Sequence, residues 1–298
     1  MNILQERLIA LLCSILGSLP LFVRQQIGAQ AGFLVSLFPT RDRVIAQLQV
    51  EKIARLNKRI SAHSYSHLGK VFMEALNFDK FLTTPTLLDK SPIIEYWKHH
   101  SSSTNGLIAL SAHMGNWELI AATASEQSIP LSVVGREARK NSWQAILTQI
   151  RSRSKVNVIW RSDASGVKAI LSALKKGSVI AALIDQDTDV RSSPSLFFNT
   201  SAHTPIGIIE LGLRYKADFV SIFSYRDEQG CYRFALTPLI VQENTNTTAI
   251  LSQYHKNLEE LVRKYPDQWA WVHKRWRTTP DGTRLSSKQY RKLLEELP

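Results

Sequence analysis

The order of apolar runs along this chain predicts an α/β fold. A mostly parallel central sheet would be flanked by helices and preceded by an apolar N-terminal helical membrane anchor. Three observations carry that expectation. Short runs rich in Val, Ile, Leu and Ala alternate with stretches whose apolar residues recur at helical spacing. This is the pattern of strands covered on both faces by crossover helices. From Leu8 to Phe38, Arg24 is the only charged residue. His113 directly follows one of the short runs, and parallel sheets gather ligands at the carboxyl ends of their strands.

Residues 1–40 divide at Pro20 and at Arg24-Gln25-Gln26 into Leu8 to Val23 and Ile27 to Phe38. A spanning helix needs ~20 apolar residues, which neither half supplies cleanly. Glu6 and Arg7 make a poor signal-peptide start, and no small-residue cleavage site follows. The stretch therefore reads as a retained membrane-embedded or monotopic anchor, with Arg41 and Arg43 reaching anionic headgroups. A buried core hairpin is the alternative. No repeat or Gly/Ser linker divides the remainder, so 41–298 reads as one catalytic domain.

From about Asp42 to Phe81 the apolar spacing is helical and ends before Pro85. A short helix, Ile93 to His100, follows Pro92. The first strand is Leu107 to Ser111, and Asn116 to Ser125 is the helix behind it. The alternation continues with a strand at Leu131 to Val134, a helix at Ser142 to Arg151, a strand at Val156 to Trp160 and a helix at Gly166 to Lys176. Then come a strand at Val179 to Ile184, a helix at Pro205 to Tyr215, strands at Phe219 to Tyr225 and Tyr232 to Leu236, and a helix at Ala249 to Tyr265. Thr204 and Pro205 suit the N-cap and first position of the Pro205 to Tyr215 helix. The tail from Arg284 to Pro298 is at most a basic amphipathic helix.

The formal charge of +12 suits an anionic partner: a phospholipid surface, a phosphorylated substrate or nucleic acid. No zinc-finger spacing, RNP-like motif or basic coiled-coil region supports nucleic acid. Cys13 and Cys231 form no CxxC pair, so neither a disulfide framework nor a zinc site is indicated.

Chemistry concentrates in Ser111-Ala112-His113-Met114-Gly115-Asn116-Trp117-Glu118. Here His113 can take a proton from a hydroxyl while the Glu118 carboxylate fixes its tautomer and stabilises the imidazolium. Gly115 removes a Cβ from the turn, letting a substrate approach the backbone, and Asn116 suits a helix cap or, less well, a substrate contact. Arg136 ends the second strand, and Arg151 lies in the next basic cluster; both suit phosphate or an oxyanion, since guanidinium binds in a planar fork. Asp185 and Asp187 flank Gln186 at a strand end; two carboxylates are a weak metal signal, so they read as site-shaping residues. Trp269, Trp271 and Trp276 interleave with Lys274, Arg275 and Arg277, which suits single-stranded nucleic acid or a membrane interface, the apolar N-terminal stretch favouring the membrane, with His273 assigned core or cap duty.

The His113 run resembles the H-x4-[DE] signature of glycerolipid acyltransferases, in the form shown by the late acyltransferases of lipid A biosynthesis. Gly177 to Asp187, Phe197 to Gly207 and Pro266 to Pro280 agree with that family in order and spacing, and the resemblance spans about Leu8 to Pro280. Asn199 stands where the family usually has Gly. The resemblance implies O-acyl transfer by His113 and Glu118 without cofactor or metal. The donor would be an acyl carrier protein or acyl-CoA thioester and the acceptor a lipid A precursor, at the cytoplasmic face of a Gram-negative inner membrane. A glycerophospholipid or aminolipid acceptor is the alternative. No G-x-S-x-G elbow supplies a serine nucleophile. The rival from another class is a non-catalytic basic membrane-binding protein.

Overall fold

A computed structural model describes residues 3–103, 105–135, 156–160 and 164–298. Its centre is a six-stranded sheet of β1 Leu107–Ser111, β2 Leu131–Gly135, β3 Asn157–Trp160, β4 Val179–Leu183, β7 Asp218–Arg226 and β8 Tyr232–Leu239, in the order β3-β2-β4-β1-β7-β8. All neighbours are parallel except β7 and β8. Every residue of β1 is buried, so alternate side chains feed two cores. Ile108, Leu110, Ile180 and Ala182 face α8 Ala164–Lys175, α9 Gly207–Arg214 and α10 Thr247–Lys264. Leu107, Ala109, Val179 and Ala181 face α5 Asp79–Thr83, α6 Ser91–His100 and α7 Glu118–Glu126.

The expected N-terminal membrane anchor is corrected. Among the described residues no helix is long and apolar enough to cross a membrane. Instead α1 Ile3–Ser18 and α2 Leu21–Leu37 break at Leu19 and Pro20, and α2 lies on α4 Ile60–Ala75. The reason is twofold. A Cβ on Gly28 or Gly69 would strike the other's carbonyl, so the two backbones touch with no side chain between them. Arg24, the lone charge, is buried and donates to the carbonyls of Met73 (3.2 Å), Glu74 (3.4 Å) and Asn77 (3.1 Å). It thereby donates to carbonyls at and just beyond the end of α4.

Two further expectations change. A hairpin, β5 Ser192–Phe197 and β6 Thr200–Pro205, precedes α9, which starts only at Gly207. Thr204 is thus a strand residue, and its hydroxyl meets Arg275 (2.5 Å) and His255 (3.3 Å) instead of capping a helix. The hairpin turns on Phe198 and Asn199, both at φ 53°; asparagine tolerates that left-handed conformation, which is why it can stand in for glycine. Trp269, Trp271 and Trp276 are 0 %, 0 % and 3 % exposed, so they belong to the core and not to a membrane interface. The C-terminal tail forms α11 Ser287–Glu296, opened by a Ser286–Gln289 capping box.

Candidate active site

Register brings the first two site residues together. Ser111 pairs with Leu183 across β1 and β4, so residues two beyond each, His113 and Asp185, emerge side by side. Asp185 accepts from the His113 backbone N–H (2.9 Å), from the His113 ring at Nδ1 (2.7 Å) and from Trp269 Nε1 (3.0 Å). Burial opposes its charge, yet the adjacent His113 ring and the donated hydrogen bonds win and hold the carboxyl well below the usual carboxylate range. An ionised carboxylate only accepts, so Nδ1 of His113 carries a proton, and in the neutral ring the lone pair belongs to Nε2.

Gln186 lies over the face of the His113 ring, its amide nitrogen 3.1 Å from Nε2 and 3.4 Å from Nδ1, and the same nitrogen reaches Nε2 of His273 at 2.7 Å. The two imidazole rings are 5.0 Å apart, and Trp117 stands edge-on to His113 at 4.9 Å. Burial, reinforced by His113, pushes His273 down to about 3, so it is neutral at ordinary pH. The turn itself is clamped from the C-terminal segment: Ala270 N–H donates to the His113 carbonyl (3.0 Å), Gly115 N–H donates to the Gln268 carbonyl (2.9 Å), and Met114 bridges Trp269. His67 of α4 meets the Gly115 carbonyl at 3.1 Å.

Gly115 serves a different end from the one expected. Its φ is +57°, and a Cβ there would strike the Ser224 carbonyl of β7, so glycine lets the turn pass the sheet. Asn116 is fully buried and donates to Glu74 (3.0 Å), a carboxylate that also accepts from Arg226, Tyr232 (2.7 Å) and Gln25 (2.8 Å). Glu118 is the first residue of α7 and, with Trp117, lines a small pocket beside β1, β2 and β4. Asp187 accepts from the Thr278 N–H (2.9 Å) and pairs with Arg284 (3.3 Å), bracing residues 278–284. Arg136 and Arg151 lie outside the described residues, as does the helix expected at Ser142 to Arg151.

His113 stands at the edge of a cavity of about 440 Å³, within the range of small-ligand sites. Its walls are Val134 and Gly135 of β2, Ala182 and Leu183 of β4, Val167 and Ile170 of α8, and Ile208 and Leu211 of α9; Gln186, Thr188 and Arg191 are its polar members. A mostly apolar chamber with one oriented imidazole at its edge can hold a hydrocarbon chain and deprotonate a hydroxyl beside it. Among the described residues no group of His, Cys, Asp and Glu could hold a metal ion. Sequence reasoning missed Gln186 and His273 as site members. Gln186 lay between two flagged acids, and His273 had been set aside as a core or cap residue.

Comparison with known proteins adds an independent finding. The sequence profile described as bacterial lipid A biosynthesis acyltransferase matches residues 3–278. A lipid A biosynthesis palmitoleoyltransferase of Escherichia coli strain K12 is 27 % identical over 157 residues, 51 % of this chain and 50 % of the relative. A lipid A biosynthesis lauroyltransferase of the same organism is 29 % identical over 136 residues, 44 % of each chain. A lipid A biosynthesis acyltransferase of Shigella flexneri matches at 27 % over 157 residues, with 51 % and 50 % covered. The chain thus spans about half the length of the curated relatives it matches.

Proposed function

The chain belongs to the bacterial lipid A biosynthesis acyltransferases, and from that premise we propose that it moves a fatty acyl group from a thioester to a hydroxyl of a lipid A precursor. The observation that carries the reading is His113, its Nδ1 fixed by buried Asp185 at 2.7 Å, at the edge of the apolar cavity. The donor is an acyl carrier protein or coenzyme A thioester, and the cavity takes its acyl chain. His113 Nε2 accepts the hydroxyl proton as the oxygen attacks the thioester carbonyl. The C–S bond then breaks, and the imidazolium returns its proton to the departing thiolate.

Within this proposal Asp185 fixes the tautomer and Glu118 contributes a second carboxylate to the imidazolium. Asn116 and Asp187 brace the turn and the adjoining loop, and Arg136 and Arg151 grip phosphate or the oxyanion. The +12 charge supports work at an anionic lipid surface, which in this reading is the cytoplasmic face of the inner membrane. The test is turnover of a labelled acyl donor. His113→Ala, folded by circular dichroism, is expected to lose ~10²–10⁴-fold in rate. Near-parental turnover by that variant overturns the mechanism. Glu118→Gln is expected to lose much of the rate, and Arg136→Lys and Arg151→Lys should fail, because an ammonium cannot replace the planar fork.

A further inference from the structure

The chamber beside His113 is polar at one end and apolar at the other. Gln186, Thr188 and Arg191 stand with His113 beyond the strand ends, while α8 and α9 run back from that rim along the sheet and wall the deeper part with Ile170 and Leu211. An acyl thioester fits that grading, its head at the rim and its tail directed inward. The sheet shapes the space the tail would enter. Ala182 of β4 lies between Ile180 and Ile184 on the face turned to α8 and α9, and Leu110 of β1 stands opposite it. On β2 the pairing of Val133 with Ala181 brings Val134 to its other side, packed against the same core. Four larger aliphatic side chains thus surround a single methyl group that lines the chamber. Alanine is a poor strand former, and protein interiors are close-packed. A larger side chain at 182 would serve both strand and core better, so the notch is room kept for an occupant.

Resting on the acyl-transfer reading above, we propose that Ala182 is a specificity-determining residue: the size of its side chain sets the length of acyl chain that is transferred. The distal methylenes lie over Ala182, and Ile170 and Leu211 close the far end behind them. Each carbon added at 182 displaces about one methylene of substrate, and each carbon removed from the end wall admits about one more. A buried methylene is worth about fourfold in binding, so small changes at these positions reorder a series of chain lengths.

The experiment measures kcat/KM for saturated acyl thioesters in two-carbon steps, with the parent, Ala182→Val, Ala182→Leu, Ile170→Ala and Ala181→Val, each checked for folding by circular dichroism. Affinities for free saturated fatty acids of the same lengths are read alongside, by displacement of a fluorescent fatty acid. Ala182→Leu is expected to move the optimum to shorter chains and to change the short-to-long ratio by about 30–100-fold, and Ala182→Val by about tenfold. Ile170→Ala should move the optimum to longer chains, and it carries the test if Ala182→Leu does not fold. Ala181→Val enlarges the neighbouring residue on the opposite face of the same strand and is expected to leave the order of chain lengths as in the parent. A parental order in the folded 182 and 170 variants, or an equal shift in Ala181→Val, overturns the proposal while turnover by the parent leaves acyl transfer standing. Should the parent turn over no thioester while fatty-acid affinities shift with residue 182, the chain-length assignment stands and the acyl-transfer reading falls.

Discussion

At the scale of single residues, the buried carboxylate sets the tautomer of the proposed base. Asp185 collects three N–H donors, so replacing it by Asn puts an NH₂ group where only acceptors fit. The expected outcome for Asp185→Asn is a rate loss of ~10²–10⁴-fold with a lowered melting temperature; unchanged kcat, measured on folded protein, would show that the carboxylate does not set the tautomer. His113 drew notice in the sequence because a strand-end turn announces itself locally. Asp185 was visible only as a member of an acidic cluster, since its partnership with His113 depends on the β1–β4 register. Gln186 and His273 are 87 positions apart, and no local pattern joins them.

At the scale of elements, the α2–α4 crossing shows where hydropathy counting stops. A run with one charge in it looks like an anchor until the carbonyls that Arg24 satisfies are known. The small-residue contact makes its own prediction. Gly69→Ala sets a methyl group against the Gly28 carbonyl, and overpacking of this kind costs about 1–3 kcal/mol. Differential scanning calorimetry should therefore show a lower melting temperature, and an unchanged one would mean that α2 gives way freely. The β5–β6 hairpin escaped notice for a related reason. Ser, Thr and Pro at its positions look like a loop and a helix cap, and only the buried Arg275 and His255 behind Thr204 give the hydroxyl another partner.

At the scale of the whole molecule, the sheet was legible because parallel strands buried on both faces leave continuous apolar runs, whereas the tryptophans were misread because buried and interfacial indoles look alike in sequence. The fold also holds neutral histidines. Burial pushes His67 down, burial with Arg275 beside it pushes His255 further down, and burial puts His273 at about 3. Each binds a proton in the unfolded chain near 6.5 but not in the folded one, so stability rises with pH below that value. Each contributes up to about 1.4 kcal/mol per pH unit until its folded value is reached. Asp185, also depressed, adds a loss of the same sign as pH falls below about 4. Urea melts at pH 7, 6 and 5 should show a falling midpoint; a flat midpoint would mean that these rings are not held neutral.

The clamp of residues 268–270 on the His113 turn carries a cost in time. Residue 269 follows residue 113 by 156 positions, and synthesis proceeds at about 5–20 residues per second, so roughly 8–30 s separate their appearance. For that interval the nascent turn has neither the Gln268 carbonyl for Gly115 nor the Ala270 N–H for His113. The chamber beside it, lined by residues no later than Leu211, is complete in sequence before that clamp arrives. The turn that holds the proposed base is therefore fixed late in translation, and a chain that ends before residue 268 would have nearly all of the sheet but an unclamped His113 turn.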